Sequence, residues 1–106
     1  MSYRFMRVIV FFDLPVKTAL ERKAYTRFRK YLMRSGFMMM QYSVYCKLAL
    51  NMTAANVIME NVRQKKPKRG LIHMLVVTEK QFSRMEIVLG EFRTEVINSD
   101  ERLVIL

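Results

Sequence analysis

One short run of residues constrains the fold of this chain more than any other. Residues 8–12 are five consecutive β-branched or aromatic residues, a composition typical of a β-strand. Because the run does not alternate with polar residues, we predict a central strand that is covered on both faces. The run ends at Asp13, and Pro15 closes the strand because proline has no N–H to donate to a neighbouring strand. An acid at this position either binds a ligand or metal, or only starts the turn that follows.

Two helices are predicted from their caps. Thr18 and Glu21 form a capping box at the start of the first helix, and Gly36 is suited to follow its end. A second helix begins at Asn51 or Thr53 and presents a broad apolar face. Both helices therefore have one side that should pack on a sheet.

The region 37–50 is predicted to be extended but interrupted. Its alternating apolar residues are expected to form the buried side of a half-buried strand, and they are Tyr42, Val44, Cys46 and Leu48. The three methionines at 38–40 break this alternation. They indicate either a bend or bulge that divides the region into two strands, or a stretch covered on both faces.

The second half of the chain adds a further central strand at residues 71–78. This strand carries the only histidine, His73, and a lone histidine among apolar residues is more often a satisfied structural residue than a catalyst. We predict a turn or short helix at 79–84, a further short strand at 85–89, and an apolar end at 103–106 that adds a strand to a sheet.

The order of these elements predicts an α+β, ferredoxin-like βαββαβ fold with an antiparallel sheet and extra short strands at the C-terminus. With 106 residues, the chain is expected to form a single domain, 1–106. Its tail, 91–106, is expected to pack on a sheet edge of the same subunit or of a partner.

The charge of the chain points to a polyanionic partner. The formal net charge is +10, from 19 basic and 9 acidic residues, which favours nucleic acid first and an anionic membrane surface second. The first helix carries six cations against one acid, and the segment 63–69 carries five more in a loop marked by proline and glycine. Each is either a phosphate-contacting surface or an ordinary solvated one. The candidate phosphate contacts are Arg22, Arg27, Lys30, Arg34, Lys65, Lys66, Lys68 and Arg69.

Membrane and secreted classes are not favoured. No apolar run approaches the ~18 residues of a membrane span. The single cysteine, Cys46, excludes an internal disulfide and fits a reducing compartment, so we expect a cytoplasmic protein.

Two motifs resemble a known family. The first is Val-Ile-Val-Phe-Phe-Asp-Leu-Pro at 8–15, followed by a basic helix that ends at Gly36, and the second is Gln-Tyr-Ser-Val-Tyr at 41–45. Together they closely resemble the small CRISPR-associated protein two (Cas-two) family, and the stretch Val-Thr-Glu-Lys-Gln-Phe at 77–82 resembles its type II variants.

The resemblance implies a homodimer that bridges dimers of the CRISPR integrase and binds a double-stranded DNA during spacer acquisition. It also implies a divalent-metal-dependent endonuclease activity on RNA or DNA in some members, so this chain is a candidate enzyme. In those members the aspartate matching Asp13 holds Mg²⁺ or Mn²⁺, one from each subunit, which makes Asp13 the candidate metal ligand and catalytic residue. Ser43 is the nearest polar candidate for a supporting role, although strand hydrogen bonding is its simpler interpretation.

One alternative fits the same composition and fold. A ribosomal-type structural RNA-binding protein would also be small, basic and ferredoxin-like. However, residues 71–77 lack the stacking aromatic residues of an RNA-recognition motif.

Overall fold

The computed structural model describes residues 4–91, which form a four-stranded sheet and three helices. In chain order the elements are β1 (Met6–Asp13), α1 (Ala19–Arg34), β2 (Met38–Gln41), β3 (Val44–Ala49), α2 (Met52–Gln64), β4 (Leu71–Thr78) and α3 (Glu79–Ser83). The sheet order is β2-β3-β1-β4, and every pair is antiparallel. This arrangement confirms the predicted ferredoxin-like α+β fold.

Strand β1 is central, as predicted, because β3 and β4 pair with its two edges. Its even-numbered residues, among them Val8, Val10 and Phe12, face the core. There they meet Phe28 of α1 and Val62 of α2, so both long helices lie on one side of the sheet.

The prediction that both faces of β1 are covered is met only in part by the described residues, because Ile9 on the odd-numbered side is 4% exposed but Phe11 on the same side is not buried. The odd-numbered side, which we call the open face, receives no helix from residues 4–91 apart from α3 at one end. Phe11 on this face is 37% exposed, and Leu71 opposite Asp13 is 55% exposed. The run lacks alternation because the open face is apolar too.

The predicted burial of β3 is right for Cys46, which is 4% exposed, but wrong for the side of the strand that faces the helices. Tyr45 is 1% exposed and lies in the core, whereas Leu48 is 45% exposed and Tyr42 lies in the turn before the strand. The Tyr45 ring stacks on Phe12 at 5.6 Å between centroids, and its hydroxyl accepts a hydrogen bond from Arg29. The large aromatic ring therefore takes the helix side of the sheet. The predicted interruption near 38–40 is confirmed by a register shift between Met39 and Gln41.

The helix caps form as predicted. The Thr18 side chain accepts from the Glu21 N–H at 3.1 Å, and Glu21 Oε1 accepts from the Thr18 N–H at 3.0 Å. Helix α2 begins after Asn51, whose Oδ1 accepts from the Ala54 N–H at 2.8 Å. Of the two predicted starts for α2, Asn51 is therefore the N-cap.

Helix α3 confirms the predicted short helix at 79–84, and an ion pair attaches it to the sheet. Arg7 of β1 donates two hydrogen bonds to Glu79, at 2.9 and 2.6 Å, and its guanidinium lies 4.4 Å from the centre of the Phe82 ring.

The prediction of a strand at 85–89 is wrong, because this segment is exposed and pairs with no strand of residues 4–91. The strand predicted at 103–106, and all of the tail beyond residue 91, lies outside the described residues.

Candidate nucleic-acid and metal site

Asp13, the candidate metal ligand, lies at the end of β1 on the open face. Its partner across the ladder is Leu71 of β4. The side chain is exposed and lines a shallow cleft of about 200 Å³ together with Ser43 and His73. The carboxylate is therefore free to accept a ligand from outside the sheet, as the functional interpretation of Asp13 requires.

Ser43 closes one side of this cleft through its backbone. It is the one non-glycine residue of the described chain with a positive φ, +65°, and it lies in the turn between β2 and β3. Its carbonyl oxygen accepts from the Phe12 N–H at 3.0 Å, one residue before Asp13. Ser43 thus fixes the end of β1 by a strand-type hydrogen bond, which agrees with the simpler of its two sequence-based interpretations.

His73 is exposed on β4, opposite Phe11. Its side chain makes no hydrogen bond or ion pair with residues 4–91. The expectation of a satisfied structural histidine is therefore not met. Within the described residues, no three histidine, cysteine or acidic side chains are grouped closely enough to hold a metal ion.

The loop 65–69, which we call the basic loop, ends against the Asp13 end of β1. Gly70 follows it at φ +110°, and a Cβ at this position would lie 2.9 Å from the Asp13 carbonyl oxygen and 3.2 Å from the Leu14 Cα. Only glycine combines this φ with such a close backbone approach. Gly70 therefore packs the end of the basic loop against the backbone at the carboxyl end of β1.

A groove of about 590 Å³ separates the basic loop from the first half of α1. Its apolar lining includes Leu20, which is 80% exposed, and Phe28 at the edge of the core. Five of the lining residues are cations, and they are Arg27, Lys65, Lys66, Lys68 and Arg69. We call this surface the basic groove. The structure thus brings together five of the eight cations selected from the sequence.

The other three selected cations lie outside the basic groove. Arg22 donates to the carbonyl oxygens of Val16 and Lys17, at 3.2 and 2.9 Å. It therefore closes the turn before α1, and it projects ~140° around the helix from Arg27. Lys30 and Arg34 are exposed further along α1, three and seven residues beyond Arg27, which places them on the same side of the helix as Arg27.

The single acid in the basic groove is Glu21, which belongs to the α1 cap. The hydrogen bond from the Thr18 N–H, with smaller contributions from the Lys17 N–H and the charge of Arg69, lowers the pKa of the Glu21 carboxyl. The Glu21 carboxylate thus stabilises the start of α1, and the other charged side chains that line the basic groove are all cations.

Comparison with known proteins identifies the family. The family model described as CRISPR associated protein Cas2 matches residues 6–85. A Treponema denticola protein named CRISPR-associated endoribonuclease Cas2 is 56% identical over 101 residues, which cover 95% of this chain and 100% of the relative. A Streptococcus mutans protein of the same name is 52% identical over 101 residues (95% and 93% covered), and one from Ligilactobacillus salivarius is 44% identical over 101 residues (95% and 100% covered).

The chain belongs to the Cas2 family. This assignment confirms the resemblance, and it favours a CRISPR protein over the ribosomal alternative. Among the described residues of this Cas2 chain, no helix is long and apolar enough to span a membrane.

Two features of the candidate site in this Cas2 chain were not predicted from the sequence. Placing His73 beside Asp13 requires the register of β1 on β4, which apolar periodicity does not fix when both faces are apolar. The role of Gly70 was not anticipated either, although a glycine between a cationic loop and a strand does signal a close backbone approach.

Proposed function

We propose that this Cas2 chain is the homodimeric, architectural component of a CRISPR spacer-acquisition complex. In this role it bridges dimers of the integrase and holds a DNA duplex by its phosphates, without reading its sequence. Family membership supports the CRISPR setting. The observation that carries the proposal is the close approach at Gly70, which joins the basic loop to the Asp13 end of the sheet.

The open face supports the dimer. Large apolar side chains are exposed across it, including Phe11 at 37%, Leu48 at 45% and Leu75 at 49%. A contiguous apolar patch of this kind is typical of a protein interface. If two copies stack open face to open face, a two-fold axis places the same residues of each copy opposite one another. Asp13 of each copy then faces the shared interface.

The basic groove supports duplex binding. Its lysines and arginines have the chemistry of phosphate contacts, which carry no sequence information. Phe28 is 2% exposed, and Tyr25 is half-buried with its ring 6.0 Å from that of Phe12. The aromatic rings of the groove are therefore not presented for stacking with unpaired bases, so a paired duplex fits better than a single strand.

A metal-dependent cleavage activity is the second part of the proposal. The relatives are named endoribonucleases, and RNA and DNA share the phosphodiester that such an activity hydrolyses. An exposed carboxylate with a neighbouring imidazole and hydroxyl suits a divalent cation, but one protomer supplies only half of a site. When bound, Mg²⁺ or Mn²⁺ would supply a Lewis acid and an activated water. Asp13 of each protomer would hold the ion, and the basic loop would position the phosphate beside it.

The salt dependence of duplex binding tests the architectural part. With ~6 phosphate contacts, affinity should fall about 10³-fold between 50 and 200 mM salt. Replacing Lys65 and Lys66 by glutamine should weaken binding. It should also make the slope of log K against log salt shallower by about 1 for each phosphate that the protein no longer neutralises.

A charge-matched control separates the groove from net charge. Lys80 and Arg84 are exposed at α3, which packs at the other side of the sheet from the basic groove. Their double glutamine variant loses the same two charges and should bind the duplex with an unchanged slope. Equal effects of the two double variants would contradict the placement of the duplex on the basic groove.

A further inference from the structure

We infer that His73 is a second metal ligand beside Asp13, and that it makes the site select a transition-metal ion such as Mn²⁺ over Mg²⁺. This inference rests on the proposed function, from which it takes a divalent cation at Asp13. It adds the identity of a ligand and the chemical class of the ion.

The β1–β4 register places the two side chains on one surface. Asp13 pairs with Leu71, and Phe11 pairs with His73. Residues that pair directly across an antiparallel ladder share a face, so Asp13 and His73 both project from the open face. They are diagonal neighbours, which typically lie about 7–8 Å apart. Two side chains of this length can converge on one ion over that distance.

The two groups share one cleft on the open face. Asp13 and His73 both line the same space of about 200 Å³, with Ser43 beside them. The remaining lining is apolar, from Phe11, Val44 and Leu71. The imidazole makes no hydrogen bond with residues 4–91 that would hold it away from the cleft. Both ring nitrogens are thus available, and one can act as a ligand.

The donor set determines the class of ion. Mg²⁺ takes oxygen ligands almost exclusively. Imidazole is a ligand for first-row transition-metal ions, weakest in that series for Mn²⁺ and stronger for Fe²⁺, Ni²⁺, Cu²⁺ and Zn²⁺. One protomer offers a carboxylate and an imidazole. A second copy on the open face would add another of each, and two carboxylates with two imidazoles form a complete set for a transition metal.

Direct metal binding by the purified protein tests the inference without relying on cleavage. Calorimetric titration with Mn²⁺ and, separately, with Mg²⁺ gives the two affinities for the wild type, His73→Ala and Asp13→Ala. We expect His73→Ala to weaken Mn²⁺ binding by about tenfold or more while Mg²⁺ binding stays unchanged. Asp13→Ala should lose both ions.

Two controls remove indirect effects. Val57→Ala lies on the exposed side of α2, across the sheet from the cleft and outside the open face, so it should leave both affinities unchanged. Because His73 is the only histidine of the sequence, the ¹⁵N spectrum of the imidazole is a one-residue signal. Ligation by Zn²⁺ should shift one ring nitrogen in the wild type and in Val57→Ala, and not in Asp13→Ala.

The outcomes separate this inference from the proposed function. If the wild type binds Mn²⁺ and His73→Ala binds it equally well, the role of His73 is overturned and the ion at Asp13 stands. If the wild type binds neither ion, the metal-dependent part of the proposed function is overturned, and the role of His73 with it. Sedimentation of each variant checks that its oligomeric state matches the wild type.

Discussion

Gly70 is the residue at which the fold and the proposed site depend most directly on each other. We expect Gly70→Ala to lower the free energy of unfolding by about 2 kcal/mol, because it forces a side chain into both a left-handed φ and a backbone contact. Chemical denaturation measures this cost. Gly70→Ala should also weaken duplex binding, because the basic loop must move away from the Asp13 end of β1.

Gly36 is the matched control for this prediction. It has a similar φ of +95°, but a Cβ there would meet only the far end of the flexible Lys47 side chain, at 3.4 Å. Gly36→Ala should therefore cost about 1 kcal/mol, the backbone part alone, and leave duplex binding intact. Equal costs at the two glycines would show that the close approach to β1 contributes nothing.

At the scale of elements, the α1 cap should make stability depend on pH. The pKa of Glu21 is lowered in the folded chain, chiefly by the hydrogen bond from the Thr18 N–H. A lowered folded-state pKa means that the ionised carboxylate stabilises the fold above the ordinary glutamate pKa of ~4.3. This contribution is lost as the pH falls below that value and through the folded-state pKa.

Thermal melts of the wild type and Glu21→Gln should therefore differ at pH 7, and the difference should shrink as the pH is lowered below ~4.3. Glu86→Gln is the control, since Glu86 is exposed in an irregular segment and makes no hydrogen bond with the described residues. A difference for Glu21→Gln that stays constant across this pH range would contradict the role of the charge in the cap.

The ion pair between Arg7 and Glu79 should contribute measurably to the attachment of α3 to the sheet. The Arg7–Glu79 pair is bidentate, and the Arg7 side chain is only 17% exposed, while that of Glu79 is 37% exposed. A double-mutant cycle on this pair should give a coupling of about 1 kcal/mol, reduced by the solvent that reaches Glu79. The same cycle on the exposed pair Glu60–Arg63 should give about 0.3 kcal/mol. A coupling for Arg7–Glu79 no larger than that of Glu60–Arg63 would contradict the proposed attachment.

For the molecule as a whole, short sequence motifs predicted where the helices begin and end. Which side of each strand faces the core depended on pairing and packing between residues far apart in the sequence. Thr18 with Glu21, Asn51 and Gly36 act within one turn of the chain, and the helices accordingly begin and end where the sequence indicates. The helix side of β3 was predicted wrongly because it carries Lys47 between Tyr45 and Ala49, whereas the opposite side, with Cys46 and Leu48, is the more apolar in sequence. Only the packing of Tyr45 against Phe12 and α1 decides between them.

In the candidate site, too, local sequence identified single residues, but their placement depended on strand pairing. Asp13 was recognisable because it interrupts an apolar run, and the cations of the basic loop because they are adjacent in sequence. The contact between Gly70, at the end of the basic loop, and the Asp13 end of β1 depends on the return of β4 alongside β1, over more than fifty residues. The position of His73 depends on the same pairing, so no local sequence pattern could predict that it lies near Asp13.

Integration by the reconstituted complex tests the architectural role of the chain within the whole assembly. The measurement compares insertion of a DNA duplex by the integrase together with the wild-type chain, Asp13→Ala, or the Lys65→Gln/Lys66→Gln variant. We predict that Asp13→Ala supports integration while cleavage by the isolated protein disappears, and that the loop variant loses integration as its duplex binding weakens. Loss of integration by Asp13→Ala with an intact dimer would contradict the architectural role.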